Sequence, residues 1–313
     1  MITMVVPTRD RAHTLRQVIP SYYEQDLVSE IVFVSDAGSD ASEAVVMQCA
    51  ARYPHVATHF LRNAERSGAS YSRNVGISRA RNDFILFCDD DEYLEAGYAA
   101  TCLKKLVAYK AGAVSGRRVY MRSGETQEQA LHRFGNGVRH SRPFRALICE
   151  YVNAARFDGD IRLPITNAII LTPRHLLRQF PYDGFYAQGN GYREESDYQM
   201  NLFVHGHDIV VTNDCHSIHL PTQQVRSGGQ RTSAWKRIYW SVYYTRYFFG
   251  KYYPRYAGRM KMKWPQWVAI CAFTVFAVYR EVLRPPLYAL AYWWLARRDR
   301  LESNPSAAGR GFP

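Results

Sequence analysis

The chain has 313 residues, 47% of them hydrophobic, and a formal net charge of +12 at pH 7. This hydrophobic content is enough to bury a core, so the composition excludes a disordered chain. The positive charge favours an anionic partner, but charge alone does not distinguish a nucleic acid from a nucleotide or an acidic membrane surface.

The first third of the chain alternates strand-like and helix-like segments. Strands are predicted over residues 2–6, 31–34, 56–61 and 84–88, and helices over 14–23, 42–52 and 70–80. This is the βαβ rhythm of a parallel sheet with helices on its faces. Later strands are predicted over 113–119, 168–171 and 208–212, with a helix over 196–205 before the last of them.

The predicted strand 84–88 ends in four consecutive acids, Asp89, Asp90, Asp91 and Glu92. In a parallel sheet, ligands collect beyond the carboxyl ends of the strands. Four adjacent carboxylates repel one another, and a hard divalent cation with oxygen ligands would compensate that repulsion. A solvated acidic turn is the alternative. The apolar strand in front of the acids favours the cation site.

Two earlier strand ends are expected to open on the same edge of the sheet. The first carries Pro7, Thr8 and Arg9, and the second carries Asp36 followed by Gly38. A carboxylate such as Asp36 can accept a hydrogen bond from an imide N–H or a ribose hydroxyl. A turn-forming or helix-capping aspartate is an equally good local interpretation.

Four motifs follow one another along this part of the chain: VVPTR at 5–9, VSDAGSD at 34–40, RNVG at 73–76 and ILFCDDD at 85–91. Together they resemble the family 2 glycosyltransferases, the large inverting group with the GT-A fold, and the resemblance spans residues 1–220. Ala37 departs from the pattern, because the family more often has a second aspartate there. This departure leaves Asp36 as the sole base-reading acid of its loop.

The resemblance implies a donor site for a nucleotide-sugar, with a UDP-sugar expected. Asp36 would contact the nucleobase, Asp89 would lie near the ribose, and Asp91 would bind the metal on the diphosphate. Arg73 could pair with the diphosphate, although a helix-surface arginine paired with an acid is the alternative. The remaining residues expected at the donor are Pro7, Thr8, Arg9 and Asp90.

A glycine-containing loop at 189–191 precedes Glu194, Glu195 and Asp197 at the start of a predicted helix. By resemblance, Glu195 occupies the position of the catalytic base and Glu194 is the next candidate. Asp197 would orient the helix or contact the acceptor. Acids that complement the positive end of a helix dipole explain the same pattern locally.

The predicted strand 208–212 leads to His216 and His219. By resemblance, a histidine at this strand end can complete a metal site with Asp91 and Asp89, and His219 fits that position better. A hydrogen-bonded histidine near a domain boundary is the alternative. Carboxylates together with an imidazole suit Mn²⁺ at least as well as Mg²⁺.

The composition changes after about residue 223. Aromatic and basic residues alternate over 235–263, and two uncharged stretches follow at 264–279 and 285–296. Each stretch is shorter than the ~20 residues that a spanning helix needs. Their aromatic ends and the nearby arginines predict an interfacial or re-entrant helix pair. A helical hairpin packed on the catalytic domain or in a dimer interface is the alternative.

Six cysteines are scattered without a CxxC pair, and several lie in apolar runs. This pattern favours reduced core thiols over disulfides or zinc ligands, and it indicates a cytoplasmic protein. The N-terminal residues enter a predicted strand at once, without a basic segment and a long apolar one before it. We therefore expect no secretory signal.

We predict an α/β protein with a GT-A, Rossmann-like, mixed and mostly parallel sheet flanked by helices. A catalytic domain is expected over 1–225, a helical and membrane-associated module over 226–300, and a disordered tail over 301–313. The predicted activity is metal-dependent, inverting transfer of a sugar from a nucleotide-diphosphate donor to a hydroxyl of a lipid-linked or polysaccharide acceptor. The metal is Mn²⁺ or Mg²⁺. The predicted location is the cytoplasmic face of the cell membrane, with peripheral or re-entrant attachment.

Three alternatives stay open. A nucleotidyltransferase also combines a parallel sheet, acids and a metal, and a non-catalytic nucleotide-sugar sensor would keep the site without the reaction. A nucleic-acid-binding protein would explain the positive charge. Nucleic acid is not expected, however, because no recognisable nucleic-acid-binding motif occurs in the sequence. The oligomeric state is left open, and a homo-oligomer is compatible with the sequence.

Overall fold

The structure is a computed structural model that describes residues 1–136, 142–155, 157–225 and 232–287. The predicted tail at 301–313 and most of the second uncharged stretch, 285–296, lie outside these residues.

The described residues form eleven strands, ten α-helices and three shorter helical turns. The strands are β1 (Ile2–Thr8), β2 (Val28–Ser35), β3 (Ala57–Arg62), β4 (Phe84–Phe87), β5 (Glu92–Leu94), β6 (Ala113–Tyr120), β7 (Phe144–Arg145), β8 (Glu150–Tyr151), β9 (Ile161–Leu163), β10 (Leu171–Pro173) and β11 (Ile209–His219). The α-helices are α1 (Ala12–Val18), α2 (Pro20–Tyr23), α3 (Ser42–Ala50), α4 (Gly68–Arg79), α5 (Tyr98–Tyr109), α6 (Gln127–Asn136), α7 (Arg174–Gln179), α8 (Glu194–Val204), α9 (Ala234–Arg259) and α10 (Gln266–Val278). Two 3-10 turns, Ala146–Ile148 and Gly184–Ala187, and a π-helical turn, Tyr279–Leu283, complete the set.

Nine strands form one mixed sheet in the order β3-β2-β1-β4-β10-β6-β11-β5, with β9 paired to β11. Strands β1 to β4 run parallel to their neighbours among themselves, and β6 is parallel to β11. Strands β5, β9 and β10 pair antiparallel. The predicted α/β fold with a mixed, mostly parallel sheet is confirmed.

Both faces of the central strands are buried, because side chains alternate along a strand and helices cover each face. Met4 of β1 packs into one apolar core with α1, α3 and α5, whereas its neighbour Val5 packs into a second core with α7 and α8. Helix α4 approaches β1 closely at Gly76, where an added Cβ would lie 2.4 Å from Cγ1 of Val5. Glycine at this position therefore sets the distance between α4 and the sheet.

Three predicted elements differ from the structure. The predicted helix 14–23 is two helices, because Pro20 has no N–H to donate and begins the second one, α2. The predicted strand 168–171 begins only at Leu171 and pairs antiparallel with β4. The strand predicted over 208–212 runs on to His219, because its second half pairs with β5 and β6. These differences come from non-local pairing and from a single proline.

Helix α9 shares a core with helix α8 of the preceding part of the chain. Met200 and Phe203 of α8 pack with Phe248, Tyr252 and Tyr256 of α9. The domain boundary near residue 225 stays a prediction. The helical segment after it packs against α8, which is the arrangement that the alternative of a packed helical hairpin describes.

The apolar C-terminal helix is longer than the sequence predicted. It runs without interruption from Gln266 to Leu287, which makes 22 residues, and an 18-residue window within it has a mean hydropathy of 1.3. By length and composition alone it could cross a membrane. Arg280, Glu281 and Arg284, which separate the two uncharged stretches in the sequence, lie inside this helix and do not end it. The prediction of a helix pair stays a prediction, because most of the second stretch lies outside the described residues.

Candidate active site

A cleft of about 930 Å³ opens where the carboxyl ends of β1, β2 and β4 meet the start of α8. Its lining includes every residue that the sequence predicted for the site except Asp197. The predicted residues that line it are Pro7, Thr8, Arg9, Asp36, Arg73, Asp89, Asp90, Asp91, Glu194, Glu195 and His219. The fold therefore brings together residues from Pro7 to His219, which are 212 positions apart in the sequence.

Arg73 of α4 is buried, and it joins the two acidic motifs. Its Nη1 donates to Glu194 Oε1 at 2.5 Å. Its Nη2 lies 3.3 Å from Asp89 Oδ1 and 3.2 Å from Glu195 Oε1. The side chain is only 2% exposed, so three carboxylates compensate its charge inside the protein. Of the two predicted roles, pairing with acids is the one present here, at a buried position instead of a helix surface.

Asp89 is held by a second arginine that sequence reasoning missed. Arg118, near the end of β6, donates through Nη2 to Asp89 Oδ2 at 2.9 Å and also contacts Glu92. Burial works against ionisation of Asp89, but Arg118 and Arg73 outweigh it and leave the pKa of Asp89 below its ordinary value. Arg118 could have been predicted from its place near the end of the predicted strand 113–119. The acids were predicted for the same reason, as charged residues at a strand end.

The backbone of the acidic turn is fixed from two sides. Tyr22 is buried, and its hydroxyl lies 2.5 Å from the carbonyl oxygen of Asp89 and 2.6 Å from that of Glu92. The carbonyl oxygen of Asp91 accepts a hydrogen bond from the N–H of Leu220 at 2.9 Å. The turn is therefore anchored to α2 and to the end of β11.

Asp91, Glu92 and His219 form a group whose ligand atoms all lie within 4.8 Å of one another. Glu92 stands directly opposite His219 across the β5–β11 pair. His219 Nδ1 lies 2.6 Å from the carbonyl oxygen of Leu220, which fixes Nδ1 as the protonated nitrogen. Nε2 therefore keeps its lone pair, and it lies 3.6 Å from Asp91 Oδ1.

This group fits a divalent cation. Glu92 is fully buried, and within the described residues its Oε2 has no hydrogen-bond partner. Arg118 contacts the other oxygen of Glu92, and a bound cation would compensate the oxygen that has no donor. Asp89, predicted as a further ligand, lies outside the group because two arginines occupy its carboxylate. Glu92, the last of the four acids, stands in the group instead.

Asp90 is turned toward β1. It accepts a hydrogen bond from the Thr8 hydroxyl at 2.7 Å, and Arg11 Nε lies 3.8 Å from its other oxygen. Burial raises the pKa of Asp90 to about 7. Asp90 thus links the acidic turn after β4 to the loop after β1.

Asp36 acts locally as a cap. Its Oδ1 accepts from the N–H of Ser67 at 2.7 Å, and its Oδ2 accepts from the N–H of Gly68 at 3.0 Å. These N–H groups lie at the start of α4, where the first turn of a helix leaves donors unpaired. The helix-capping interpretation is therefore present in the structure. Contact of Asp36 with a nucleobase stays a prediction.

Glu194 and Glu195 differ in their surroundings. Glu194 is engaged by Arg73 and by the Ser70 hydroxyl, which donates to its Oε2 at 3.1 Å. Glu195 keeps 27% of its side chain exposed to the cleft. Burial and the neighbouring charge of Glu194 raise the pKa of Glu195 to about 8. A glutamate with a pKa near the working pH is well suited to accept a proton.

Asp197 faces away from the cleft. Its carboxylate accepts hydrogen bonds from the hydroxyls of Tyr186 at 2.9 Å and Tyr252 at 3.0 Å, and from Lys251 Nζ at 2.9 Å. Lys251 and Tyr252 belong to α9, so this buried aspartate ties α8 to α9. Of its two predicted roles, orientation of the helix matches these contacts.

Known proteins resemble this chain in sequence. The model of the family described as Glycosyl transferase family 2 matches residues 3–180. Glycosyltransferase GlyA of Streptococcus pneumoniae is 30% identical over 116 residues, which are 37% of this chain and 16% of that protein. The GalNAc(5)-diNAcBac-PP-undecaprenol beta-1,3-glucosyltransferase of Campylobacter jejuni is 29% identical over 104 residues, which are 33% of this chain and 34% of that protein. The similarity therefore spans well under half of either relative.

Solved structures resemble the fold. TarS 1-349 of S. aureus, crystallised in complex with UDP, has a TM-score of 0.56 at 13% identity and covers 91% of this chain and 73% of its own. The mannosyltransferase PcManGT of Pyrobaculum calidifontis, in complex with GDP-Man and Mn²⁺, has a TM-score of 0.57 at 17% identity and covers 94% of this chain and 79% of its own. The predicted GT-A fold is confirmed by this likeness.

Proposed function

Because this chain belongs to glycosyl transferase family 2, we propose that it is a metal-dependent, inverting glycosyltransferase. It moves a sugar from a nucleotide-diphosphate donor to a hydroxyl of a lipid-linked or polysaccharide acceptor. One observation carries the proposal. Asp89 and Glu195 lie within 3.3 Å of the same Nη2 of Arg73, so a leaving-group site and a proton acceptor share one cleft.

The donor lies along the strand-end loops. Pro7, Thr8, Arg9 and Asp36 line the part of the cleft that is expected to hold the nucleoside, and Asp89 lies beside it. A UDP-sugar is the donor that we expect. Structural relatives crystallised with UDP, UDP-GlcNAc or GDP-Man support a nucleotide-sugar in this fold.

Asp91, Glu92 and His219 would hold Mn²⁺ or Mg²⁺, with Mn²⁺ favoured by the imidazole. When bound, such an ion offsets the negative charge that grows on the departing diphosphate. The protein's part is to hold these ligands in position. Arg118 and Arg73 neutralise Asp89 beside them, and the Leu220 carbonyl holds the His219 ring.

Glu195 takes the proton of the acceptor hydroxyl, which attacks the anomeric carbon on the face opposite the departing diphosphate. This geometry inverts the configuration at that carbon and requires no covalent enzyme intermediate. Proton acceptance by a positioned side chain typically contributes ~10²–10⁴ in rate. Glu194 does not compete for this role, because Arg73 and Ser70 hold its carboxylate. Asp197 contributes by fixing α8 against α9.

The acceptor is lipid-linked or part of a growing polysaccharide, and the reaction takes place at the cytoplasmic face of the membrane. The C. jejuni relative, whose name specifies a PP-undecaprenol acceptor, supports a lipid-linked substrate. The apolar helix Gln266–Leu287 supports attachment to a membrane. A homo-oligomer is compatible with this arrangement.

A donor screen tests the proposal. Nucleotide-sugars are added to the full-length protein with and without Mn²⁺, and the melting temperature is recorded. A ligand that binds only the folded state must raise that temperature, so the true donor shifts it and Mn²⁺ enlarges the shift. If no nucleotide-sugar shifts the melting temperature in either condition, the donor assignment is overturned.

The reaction products distinguish a glycosyltransferase from a nucleotidyltransferase, and inversion from retention. Transfer by inversion releases a nucleoside diphosphate, and NMR of the product finds the anomeric configuration opposite to that of the donor sugar. A nucleotidyltransferase would instead release pyrophosphate from a nucleoside triphosphate and a sugar phosphate. Product with the donor's configuration would overturn the inverting mechanism and leave the transferase assignment intact.

A further inference from the structure

One face of the C-terminal helix is apolar and exposed along its whole described length. The residues on it recur at every fourth position. Each step of four residues turns about 40° around an α-helix, and the π-helical turn Tyr279–Leu283 takes back part of that rotation. We call this face the outer stripe; it consists of Trp267, Cys271, Val275, Tyr279, Leu283 and Leu287. Trp267 is 67% exposed and Val275 70% exposed. A helix whose partner was water alone would not keep six such residues in a row.

The opposite face is packed and carries the charge. Ala269, Phe273 and Ala277 are buried, and Glu281 continues the same four-residue series toward the protein. Glu281 accepts hydrogen bonds from Arg237 of α9 at 2.7 Å and from Arg280 at 2.8 Å. Between residues 266 and 283, the charged side chains of this helix are thus turned inward and paired.

The packed face belongs to the wall of the cleft. Phe273 lies in one apolar cluster with Ile148 and contacts the ring of Tyr192 at 5.8 Å between centroids. Arg280 Nη1 lies 3.8 Å from Glu150 Oε1, and Tyr192 donates to the other oxygen of Glu150 at 3.0 Å. Glu150 and Tyr192 both line the cleft. If the helix crossed a bilayer in this packing, these polar wall residues would enter the hydrocarbon, where unsolvated charges are costly.

We infer that the outer stripe rests on a lipid bilayer, with the helix lying along the membrane surface and not across it. The charge around the stripe matches anionic lipid. Exposed Lys261 and Lys263 precede the helix and exposed Arg284 lies near its end, in a chain of net charge +12. Trp264, 61% exposed, adds the aromatic side chain that prefers the headgroup level.

This placement adds an acceptor class to the proposed function, and the assignment of that acceptor rests on the proposed function. Because Tyr192 and Glu150 touch both the helix and the cleft, the cleft wall sits directly above the membrane surface. An acceptor whose lipid stays in the bilayer can then present its sugar hydroxyl to Glu195 without leaving the membrane. The acceptor class that fits is an amphiphile with a polar, glycosylated head.

Vesicle binding tests the contact without any substrate. The full chain is sedimented with vesicles of phosphatidylcholine containing about 30% phosphatidylglycerol and with pure phosphatidylcholine vesicles at physiological salt. We expect the native chain to bind the anionic vesicles. The double variant Val275→Asp/Leu283→Asp should bind them with an affinity lower by about tenfold or more. Val107→Asp is the matched control, because Val107 is 63% exposed on α5. Equal binding by the double variant and the control would overturn the inference.

The depth of a fluorescent label in the bilayer distinguishes a helix that lies on the surface from one that spans the membrane. Cys271 is the exposed one among the six cysteines, so it can carry a fluorescent label in the native chain. In a Cys271→Ser background, Trp267→Cys, Val275→Cys and Leu283→Cys carry the label in turn. Quenching by lipids with shallow and deep quenchers should report a shallow depth at every position, with no maximum in the middle of the helix. A profile that is deep in the middle and shallow at the ends would mean a spanning helix and would overturn the inference.

The two proposals can fail separately. A chain that transfers sugar but binds no vesicles would overturn the bilayer contact alone. A chain that binds vesicles through the outer stripe but consumes no nucleotide-sugar would overturn the proposed function and leave the bilayer contact standing. Melting temperatures of all variants, compared with the native chain, identify any variant that has lost its fold.

Discussion

The two acidic motifs of the cleft use the same chemical group in opposite ways. In the first, Asp89 lies between Arg118 and Arg73, and its pKa falls below the ordinary value. In the second, burial and the charge of Glu194 raise the pKa of Glu195 to about 8. One carboxylate is therefore fixed as an anion, while the other can gain and lose a proton near neutral pH. The difference comes from the neighbours, because both carboxylates touch the same Nη2 of Arg73.

Removal of Arg73 should abolish this difference and have the largest effect. Arg73→Met would leave Glu194 buried without its cation, and breaking a buried ion pair typically costs about 3–5 kcal/mol. We expect that loss in the free energy of unfolding, measured by urea denaturation, together with loss of sugar transfer. Arg16→Met, at an exposed position of α1, is the control. A change below about 1 kcal/mol would contradict the central place given to Arg73.

Replacement of Glu195 should impair the second acidic motif and leave the first one intact. Glu195→Gln keeps the size of the side chain and removes the proton acceptor, so kcat should fall by ~10²–10⁴. KM for the donor should change little, because the first motif is untouched. Glu128→Gln, an exposed position on α6, is the matched control in a donor-consumption assay. Equal donor consumption by Glu195→Gln and the native chain would remove the base assignment, and binding of the donor without consumption by either would favour a non-catalytic nucleotide-sugar sensor.

The raised pKa of Glu195 also predicts a dependence of stability on pH. The folded pKa lies at about 8, above the ordinary value of 4.5. The stabilisation from this group is therefore fully present below the unfolded pKa and is lost as pH rises through the folded pKa. Relative to Glu195→Gln, the native chain should lose up to about 1.4 kcal/mol per pH unit over that interval, and no more above it. Paired melting curves across this range measure the effect, and a constant difference would contradict it.

The smallest effect concerns the support of the second motif. Lys251→Met removes one of the three donors to buried Asp197, while the tyrosine hydroxyls of Tyr186 and Tyr252 remain. We expect a loss of about 1–3 kcal/mol in the free energy of unfolding. Lys236→Met, exposed on the same helix, should change it by less than about 0.5 kcal/mol. If both variants lose the same amount, the contact between α8 and α9 does not depend on this ion pair.

Much of the cleft was predictable from the sequence. A parallel sheet gathers its strand ends on one edge, so Asp36, Asp89 and Asp91 could be placed together from local pattern alone. The same rule, applied to charged residues of either sign, would have found Arg118. Glu92 was harder, because β5 has three residues and, within the described part of the chain, its one pairing is with a strand more than a hundred positions later. The burial of Arg73 depends on Glu194 reaching it from α8, and no periodicity within α4 predicts such a contact.

The hydrogen bonds of the main chain in the acidic turn affect which ion the neighbouring side chains would bind. The carbonyl oxygens of Asp89 and Glu92 face the Tyr22 hydroxyl, and that of Asp91 accepts from Leu220. Calcium sites commonly collect about six to eight oxygens and recruit main-chain carbonyls among them. Here each of these carbonyl oxygens already has one hydrogen-bond partner, which leaves two carboxylates and an imidazole nitrogen as the side-chain ligands of the group. We therefore expect Ca²⁺ to bind this group less well than Mn²⁺ or Mg²⁺, and Tyr22 and Leu220 would contribute to that preference without touching the ion.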